Sequence, residues 1–325
     1  MMKNTYYNDV LNQYLIDIDF YENKDKCMEY SDGSNYNSMG DLFQSQITLL
    51  LWGKKPSNKM FDNVCLLNIE PPEECLYPED IPSFIKDFHR LKALSMPLVY
   101  GLALQNDTLP ESVEHLSFIN DLDQTDNLGN SKKEQVQNLL FPNIFFPNIK
   151  SLNLVTSSTA SIVADGYLNI NESHFPRLEF LRCVTGYKDK FPLLENFTNL
   201  RHLWVSINKT ADIFKQIKSP IVSLNIDGTG SDFKIQEISK ISSLEIVRIN
   251  SCCNQIDCNE FLKLPNLKEI ILLNSKEIKN IESLLEMPTL KSLDVLDCKD
   301  AFTKQQKKLF QSLSNKFERL SIDYA

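Results

Sequence analysis

The sequence predicts an α/β solenoid of stacked repeats, with a curved parallel β-sheet on its concave face and short helices or 3₁₀ turns on its convex face. The main observation is a six-residue pattern in which an apolar residue is followed by two more apolar residues, three and five positions later. Its ten copies are separated by 22, 36, 29, 22, 21, 23, 23, 23 and 27 residues. They begin at Leu91, Val113, Ile149, Leu178, Leu200, Ile221, Leu244, Leu267, Leu290 and Phe317, and a weaker copy begins at Val64.

The second half of each copy alternates like a β-strand. In the copy that begins at Leu200, Leu203 and Val205 should point into the core while Trp204 points to the opposite face. Three later repeats also carry apolar residues spaced three apart, which indicates a short α or 3₁₀ helix after the strand. These residues are Ile235, Ile238 and Ile241, then Cys258, Phe261 and Leu264, then Ile281, Leu284 and Met287, with Pro265 and Pro288 placed to end the last two helices.

This pattern resembles the leucine-rich-repeat family, most clearly in Leu-Pro-Asn-Leu-Lys-Glu-Ile-Ile-Leu-Leu-Asn at residues 264–274. The resemblance extends from about Val64 to Ala325, and the short repeats resemble those of intracellular and bacterial members, which are mostly protein-binding scaffolds. It also implies a hydrogen-bonded ladder of Asn or Cys at the ninth motif position. The chain keeps Asn208, Cys252 and Cys298 there but has Asp121, Ser157, Gly186, Thr229 and Ser275 in other repeats, so we expect a degenerate ladder.

The two ends of the chain depart from the repeat. Residues 1–60 do not keep its register and are predicted to cap the solenoid of residues 61–325, with a helix over 6–14; a small separate domain is the alternative. A helix over 303–313 and a strand over 317–322 should cap the other end. The polar insertion within 121–146 is predicted to be a surface loop, which either contributes to binding or has no function.

Composition and charge narrow the class of partner. A net charge of −9 argues against nucleic acid and favours a basic protein. The sequence shows neither a secretory signal nor a membrane-spanning stretch, and its eight cysteines lack a paired framework. We therefore expect a cytoplasmic monomer that does not bind membranes and forms no disulfides in a reducing cytosol.

Catalytic and metal sites are not predicted. The four histidines, His89, His115, His174 and His202, have no metal-ligand spacing, and glycine-rich phosphate loops are absent from the sequence. Zinc at Cys252, Cys253, Cys258 and Cys298 is an alternative, but the ladder and apolar positions account for three of these cysteines. The expectation is a protein that is not an enzyme and holds no metal or cofactor.

The candidate binding site lies on the predicted concave face, where motif positions three, five and seven point away from the core. Trp204 is the outlier at position five, and Arg182 is expected to stack on it, with an acidic flank of Asp227, Glu269, Asp294 and Asp297 beyond. The alternative is that Trp204 packs beneath an inserted loop. The predicted partner-binding residues are Phe180, Arg182, His202, Trp204, Asn225, Asp227, Arg248, Glu269 and Asp294.

The function predicted from these features is a non-enzymatic, intracellular, protein-binding scaffold that grips a basic protein partner on its concave face. By analogy with some bacterial immunity proteins, a toxin is the specific partner hypothesised. Two alternatives stay open: the recognition module of an effector or ubiquitin-ligase-type system, and a structural scaffold.

Overall fold

The structure is a computed structural model in which the chain divides into two compact units. The first unit comprises Gln13–Gly186 and Lys190–Phe197, and the second comprises Met1–Asn12, Tyr187–Asp189 and Thr198–Ala325. The residues that the structure describes are 6, 7, 10, 13, 28–30, 47–50, 61, 62, 64, 66–70, 81–101, 103–120, 141–156, 169–184, 193–207, 213–230 and 233–322.

The first unit is built on parallel strands that pair in chain order. They are β1 (Met28–Tyr30), β2 (Ile47–Leu50), β3 (Leu66–Glu70), β4 (Ala93–Pro97), β5 (His115–Asn120), β6 (Ser151–Thr156) and β7 (Phe180–Val184). Its helices include α1 (Leu98–Gly101) and the 3₁₀ helices Ser83–Asp87 and Leu194–Asn196. Because β1 and β2 lie within residues 1–60, this segment adds two strands to the sheet, a difference from the sequence pattern; its capping role stays a prediction.

The second unit repeats the same design with a more regular period. Its main sheet consists of β8 (His202–Ile207), β9 (Ser223–Thr229), β10 (Ile246–Asn250), β12 (Glu269–Leu273), β14 (Ser292–Leu296) and β15 (Arg319–Ile322), again parallel and in this order. A small second sheet pairs β11 (Gln255–Asp257) with β13 (Glu277–Lys279). The helices are α2 (Ile213–Gln216), α3 (Lys304–Ser312) and the 3₁₀ helices Ile235–Lys240, Cys258–Lys263, Ile281–Glu286 and Ser314–Lys316.

The apolar motif positions form the core, as the sequence predicts. Leu203 is 1% exposed and Leu293 is 0% exposed. The three apolar triples after the strands become three short 3₁₀ helices that bury their first two apolar residues. Each of these three repeats therefore closes its core with a 3₁₀ helix on one side and a strand on the other. The predicted α/β fold class is confirmed.

A left-handed residue lies at the end of the strand or directly after it in four consecutive repeats of the second unit. Gly228, Ser251, Asn274 and Asp297 have φ angles of 87°, 57°, 45° and 55°. A positive φ turns the chain sharply out of the strand, and only glycine adopts it without steric cost. Three of the four repeats therefore make this turn with a strained non-glycine residue.

The ladder position comes directly after this turn, and the structure shows how mixed residue types fill it. Thr229 Oγ1 lies 3.3 Å from Cys252 Sγ and accepts a hydrogen bond from the Cys253 backbone N–H at 3.0 Å. Cys298 Sγ accepts from the Ser275 backbone N–H at 3.5 Å. Hydroxyls thus join the predicted thiols at this position, so the ladder is mixed in chemistry but continues between repeats.

The carboxy-terminal end of the second unit closes with α3 and β15. Thr303 caps α3, and the side chains of Thr303 and Gln306 each accept from the other residue's backbone N–H. Phe310 on α3 is fully buried, which anchors the helix to the core. The predicted helix and terminal strand are confirmed to within a few residues. Within the described residues, no helix has the length and apolar character needed to cross a bilayer.

Candidate functional site

The position-five residues of the second unit line up across neighbouring strands. Trp204 pairs with Asn225, Asn225 with Arg248, and Arg248 with Ile271, each in the expected parallel register. Asp294 follows Ile271 in the same row. Since alternate residues of a strand share a face, these side chains and those two positions away form one surface, the predicted concave face.

Tyr7 lies on this face, far from its place in the sequence. Tyr6, Tyr7 and Val10 have helical backbone conformation, as predicted for the amino-terminal segment, and Tyr7 is only 8% exposed. The backbone N–H of Tyr7 donates to Glu269 Oε2 at 2.8 Å. Asn225 Nδ2 donates to the Tyr7 hydroxyl at 2.7 Å. The sheet thus holds Tyr7 by its backbone at one end and by its hydroxyl at the other.

An arginine and a tryptophan enclose the Tyr7 ring. The Arg248 guanidinium carbon lies 5.4 Å from the centroid of the Tyr7 ring and 5.9 Å from that of Trp204. The two rings meet edge to face, with centroids 6.4 Å apart. Arg248 Nη1 also donates to Asn225 Oδ1 at 2.8 Å. This bond fixes the Asn225 amide so that its Nδ2 faces the tyrosine hydroxyl.

The floor of the site is apolar. Tyr7 forms a buried cluster with Ile246 and Ile271, which are 5% and 6% exposed, and Tyr6, Val10 and Leu273 pack around it. Isoleucine at motif positions three and five is unusual for a face that points away from the core. These two apolar residues beside Trp204 are the sequence signal for a covering segment, but nothing in the repeat identifies residue 7 as that segment.

Glu269 is the one acidic residue of the site that is completely buried, at 0% exposure. Burial raises the pKa of its carboxyl, and the nearby Asp294 raises it further, against the lowering effects of the Tyr7 N–H, the Ser292 hydroxyl and Arg319. Ser292 Oγ lies 3.3 Å from Glu269 Oε1. The pKa of the Glu269 carboxyl therefore depends in part on Tyr7, a residue of the amino-terminal segment.

The surroundings of Trp204 differ from those that the sequence predicted. Trp204 was predicted to bind a partner, with packing beneath an inserted loop as the alternative; in the structure it is 8% exposed and its ring meets that of Tyr7 edge to face. Among the described residues, the packed environment of Trp204 therefore includes Tyr7 of the amino-terminal segment. Within the second unit the guanidinium over Trp204 belongs to Arg248. The predicted stacking of Arg182 on Trp204 stays a prediction.

The other predicted residues divide between the two units. Phe180 and Arg182 lie on β7 of the first unit, where Phe180 is buried and Arg182 half-buried. Asn225 and Asp294 are buried on the second unit's face, and His202, Asp227 and Arg248 are half-buried there.

The predicted acidic flank is already engaged within the protein. Arg319 Nε donates to Asp294 Oδ1 at 3.0 Å, and Asn250 Nδ2 donates to Asp227 Oδ1 at 2.6 Å. With Glu269 buried beneath Tyr7, the carboxylates of this face present less charge to solvent than the sequence suggests. Residues 121–140 of the predicted insertion lie outside the described residues.

Three of the four candidate zinc ligands occupy structural positions, and the fourth, Cys253, is exposed. Cys252 and Cys298 belong to the ladder, and Cys258 is fully buried in its 3₁₀ helix. Burial raises the pKa of the Cys252 and Cys258 thiols, which keeps them protonated. Within the part of the chain that the structure describes, His, Cys, Asp and Glu side chains form no group of three that could hold a metal ion.

Comparisons with known proteins find similar structures but no sequence relative. No protein-family model matches the sequence, and no curated protein matches it. A leucine-rich-repeat protein from Legionella pneumophila, LegL7, has 14% identity and a TM-score of 0.43 over 78% of this chain and 91% of its own. A leucine-rich-repeat protein of Leptospira interrogans has 14% identity and a TM-score of 0.36, over 92% and 89% of the two chains. An internalin from Listeria monocytogenes has 15% identity and a TM-score of 0.36, over 81% of each chain.

The fold is established by the chain's own repeats. Each repeat contributes one parallel strand in the predicted register, its apolar positions are buried, and in the second unit a side-chain ladder follows the strand. The chain therefore has the α/β leucine-rich-repeat fold.

Proposed function

We propose that this protein is a non-enzymatic binding protein whose second unit takes a segment of a protein partner on the predicted concave face. The observation that carries the proposal is Tyr7, which lies on that face as a residue of a bound peptide would. Its contacts combine two hydrogen bonds, a cation–π contact and an apolar floor. Such a combination is typical of the centre of a protein–protein interface.

The residue types around Tyr7 support binding more than catalysis. Tryptophan, tyrosine and arginine are the residues that most often dominate interface energies, and Trp204, Tyr7 and Arg248 meet here. The titratable group beside them, Glu269, has its carboxyl bonded to a backbone N–H and to a serine hydroxyl. A carboxyl held in this way orients a peptide backbone, which is a recognition role.

The specific form of this proposal is a cytoplasmic monomer that binds a basic protein, with toxin neutralisation as its purpose. The net charge of −9 favours a basic partner and would speed its approach. Asp297 is exposed at the turn after β14, where such a partner can reach it, whereas Glu269 and Asp294 are buried. We therefore expect the net charge to determine the association rate and the Tyr7 site to determine the affinity of the complex.

Affinity capture from the cells that make the protein tests this function. The bait is the full chain, compared with Arg248→Ala and with a matched control, Arg201→Ala, at an exposed arginine of the same unit. We expect one protein to be captured by the wild type and the control but about thirtyfold more weakly by Arg248→Ala, a loss of about 2 kcal/mol. Capture that is equal for all three baits would contradict the proposal.

A further inference from the structure

We propose that the site around Tyr7 recognises a tyrosine-bearing segment of the partner, and that Tyr6, Tyr7 and Val10 occupy this site in cis as a displaceable competitor. This inference rests on the proposed function, because it identifies what the binding face recognises. It also adds a regulatory element, since the partner has to replace the protein's own amino-terminal residues before it can bind.

The polar groups of the site are arranged for a tyrosine hydroxyl. Arg248 Nη1 binds Asn225 Oδ1 at 2.8 Å, so the free side of the amide is its Nδ2 donor. That donor meets the Tyr7 hydroxyl oxygen at 2.7 Å. Asn225 is 2% exposed, so a phenylalanine in place of tyrosine would leave a buried donor without its acceptor. The site therefore distinguishes tyrosine from phenylalanine.

The charges of the face favour an unmodified tyrosine. Asp227 lies two residues after Asn225 on β9 and on the same face, and Glu269 and Asp294 lie farther along the sheet, on β12 and β14. A phosphate on the tyrosine would bring more negative charge into a buried site on a face that already carries these carboxyl groups. We therefore expect phosphorylation of the incoming tyrosine to weaken binding.

The manner of attachment makes the amino-terminal residues displaceable. Tyr6, Tyr7 and Val10 are helical and rest on side chains of the face, while the strands beneath pair with each other through their own backbones. The bond between the Tyr7 N–H and Glu269 is one that the backbone of any incoming segment can reproduce. Exchange of one tyrosine-bearing segment for another therefore leaves the sheet unchanged.

The test uses a fluorescent peptide with the sequence of residues 1–13 and measures its binding to the full chain by anisotropy. In the wild type the site is occupied in cis, so the peptide should bind weakly. The Tyr7→Ala chain should bind the peptide at least about tenfold more tightly, because its own segment no longer competes. A Tyr7→Phe chain keeps the ring and loses only the hydroxyl, so its affinity should lie between the other two.

Peptide variants test the chemistry of recognition on the Tyr7→Ala chain. A peptide with Tyr7→Ala should not bind, one with Tyr7→Phe should bind about fivefold more weakly than the native peptide, and one phosphorylated at Tyr7 should bind more weakly still. Adding Arg248→Ala to the chain should abolish binding, while adding Arg201→Ala should leave it unchanged. Circular dichroism confirms that each chain is folded.

Three results would overturn the proposal. The first is a folded Tyr7→Ala chain that does not bind the native peptide. The second is equal affinity for the native and Tyr7→Ala peptides. The third is equal peptide affinity for the wild-type, Tyr7→Phe and Tyr7→Ala chains. Affinity capture distinguishes these failures from failure of the proposed function. If capture still depends on Arg248, the face binds a protein partner, and only the proposal that Tyr7 competes with that partner is excluded.

Discussion

The side-chain amide of Asn225 donates to the hydroxyl of Tyr7 at 2.7 Å, although 218 residues separate the two in sequence. Asn225 lies at position five of its repeat, on the face that points away from the core. Arg248 holds the other end of the same amide. The amino-terminal tyrosine is therefore an integral part of the face on which the binding site was predicted, and it determines which residues of that face are accessible.

The buried motif leucines set the stability of the repeats. Leu293 is 0% exposed, so replacing it by alanine should leave a cavity and lower the free energy of unfolding by about 2–5 kcal/mol. Leu313, which is 37% exposed after α3, is the matched control and should lose well under half of that value when changed to alanine. Urea denaturation measures both. Equal losses for the two variants would contradict the assignment of Leu293 to the core.

Strain at the repeat turn offers a stabilising substitution. Ser251 has a φ of 57°, at the position where Gly228 stands one repeat earlier with a φ of 87°. Ser251→Gly removes the strain of a left-handed non-glycine residue and should raise the free energy of unfolding by about 0.5–1 kcal/mol. Ser242→Gly, at an exposed turn of the same repeat, should bring no gain. A Ser251→Gly chain that is less stable than wild type would show that the turn needs the serine side chain.

A carboxylate between two lysines should make the stability of the first unit depend on pH in the acid range. Hydrogen bonds from Lys150 and Lys92 lower the pKa of Glu114 from 4.5 to about 2. A group with a depressed folded-state pKa stabilises the fold above its unfolded pKa and loses this contribution as the pH falls through its folded pKa. The contribution should therefore be complete above 4.5 and disappear towards pH 2.

Glu114→Gln isolates this contribution. At about pH 6 the variant should be less stable than wild type by about 1 kcal/mol, since solvent screens a pair that is partly exposed. The difference should shrink as the pH falls from about 4.5 towards about 2, which denaturation curves at several pH values measure. A difference that does not depend on pH would show that Glu114 acts through packing and not through its charge.

Attachment of the amino-terminal residues to the face should also depend on pH. Unlike the contribution of Glu114, which is lost as the pH falls, this attachment should weaken as the pH rises. Burial raises the pKa of Glu269, and with the added effect of Asp294 it outweighs the lowering effects of the Tyr7 N–H, the Ser292 hydroxyl and Arg319. Once Tyr7 leaves, water reaches this carboxyl and its pKa should fall towards the ordinary value. The attached state thus binds a proton more readily, so attachment is favoured at low pH and weakens as the pH rises through the raised pKa.

Acrylamide quenching of Trp204 fluorescence measures the attachment, because Tyr7 packs against Trp204 and shields it. The other tryptophan is removed by Trp52→Phe, so that the signal comes from Trp204 alone. Quenching should increase with pH in the wild type. In Glu269→Gln the side-chain oxygen still accepts from Tyr7 but no longer titrates, so quenching should stay flat. Quenching that falls with rising pH, or a slope that persists in Glu269→Gln, would exclude Glu269 as the titrating group.

The fold was predictable because the period of the apolar residues determines which side chains enter the core. The register of Trp204, Asn225 and Arg248 followed from that period alone. The cover over Trp204 was not predictable, because Tyr7 lies outside the periodic pattern and reaches the face through tertiary contacts. The burial of Glu269 was missed for the same reason.

The most direct test of the account is a double-mutant cycle that joins Tyr7→Phe and Asn225→Ala, with the free energy of unfolding measured for the wild type, both single variants and the double variant. If the hydroxyl and the amide bond as described, the two substitutions should be coupled by about 0.5–1.5 kcal/mol. A parallel cycle of Tyr7→Phe with Asn250→Ala, whose amide binds Asp227, should show a coupling near zero. A Tyr7–Asn225 coupling as small as that of the control would contradict the placement of Tyr7 on the face, and with it the binding site proposed there.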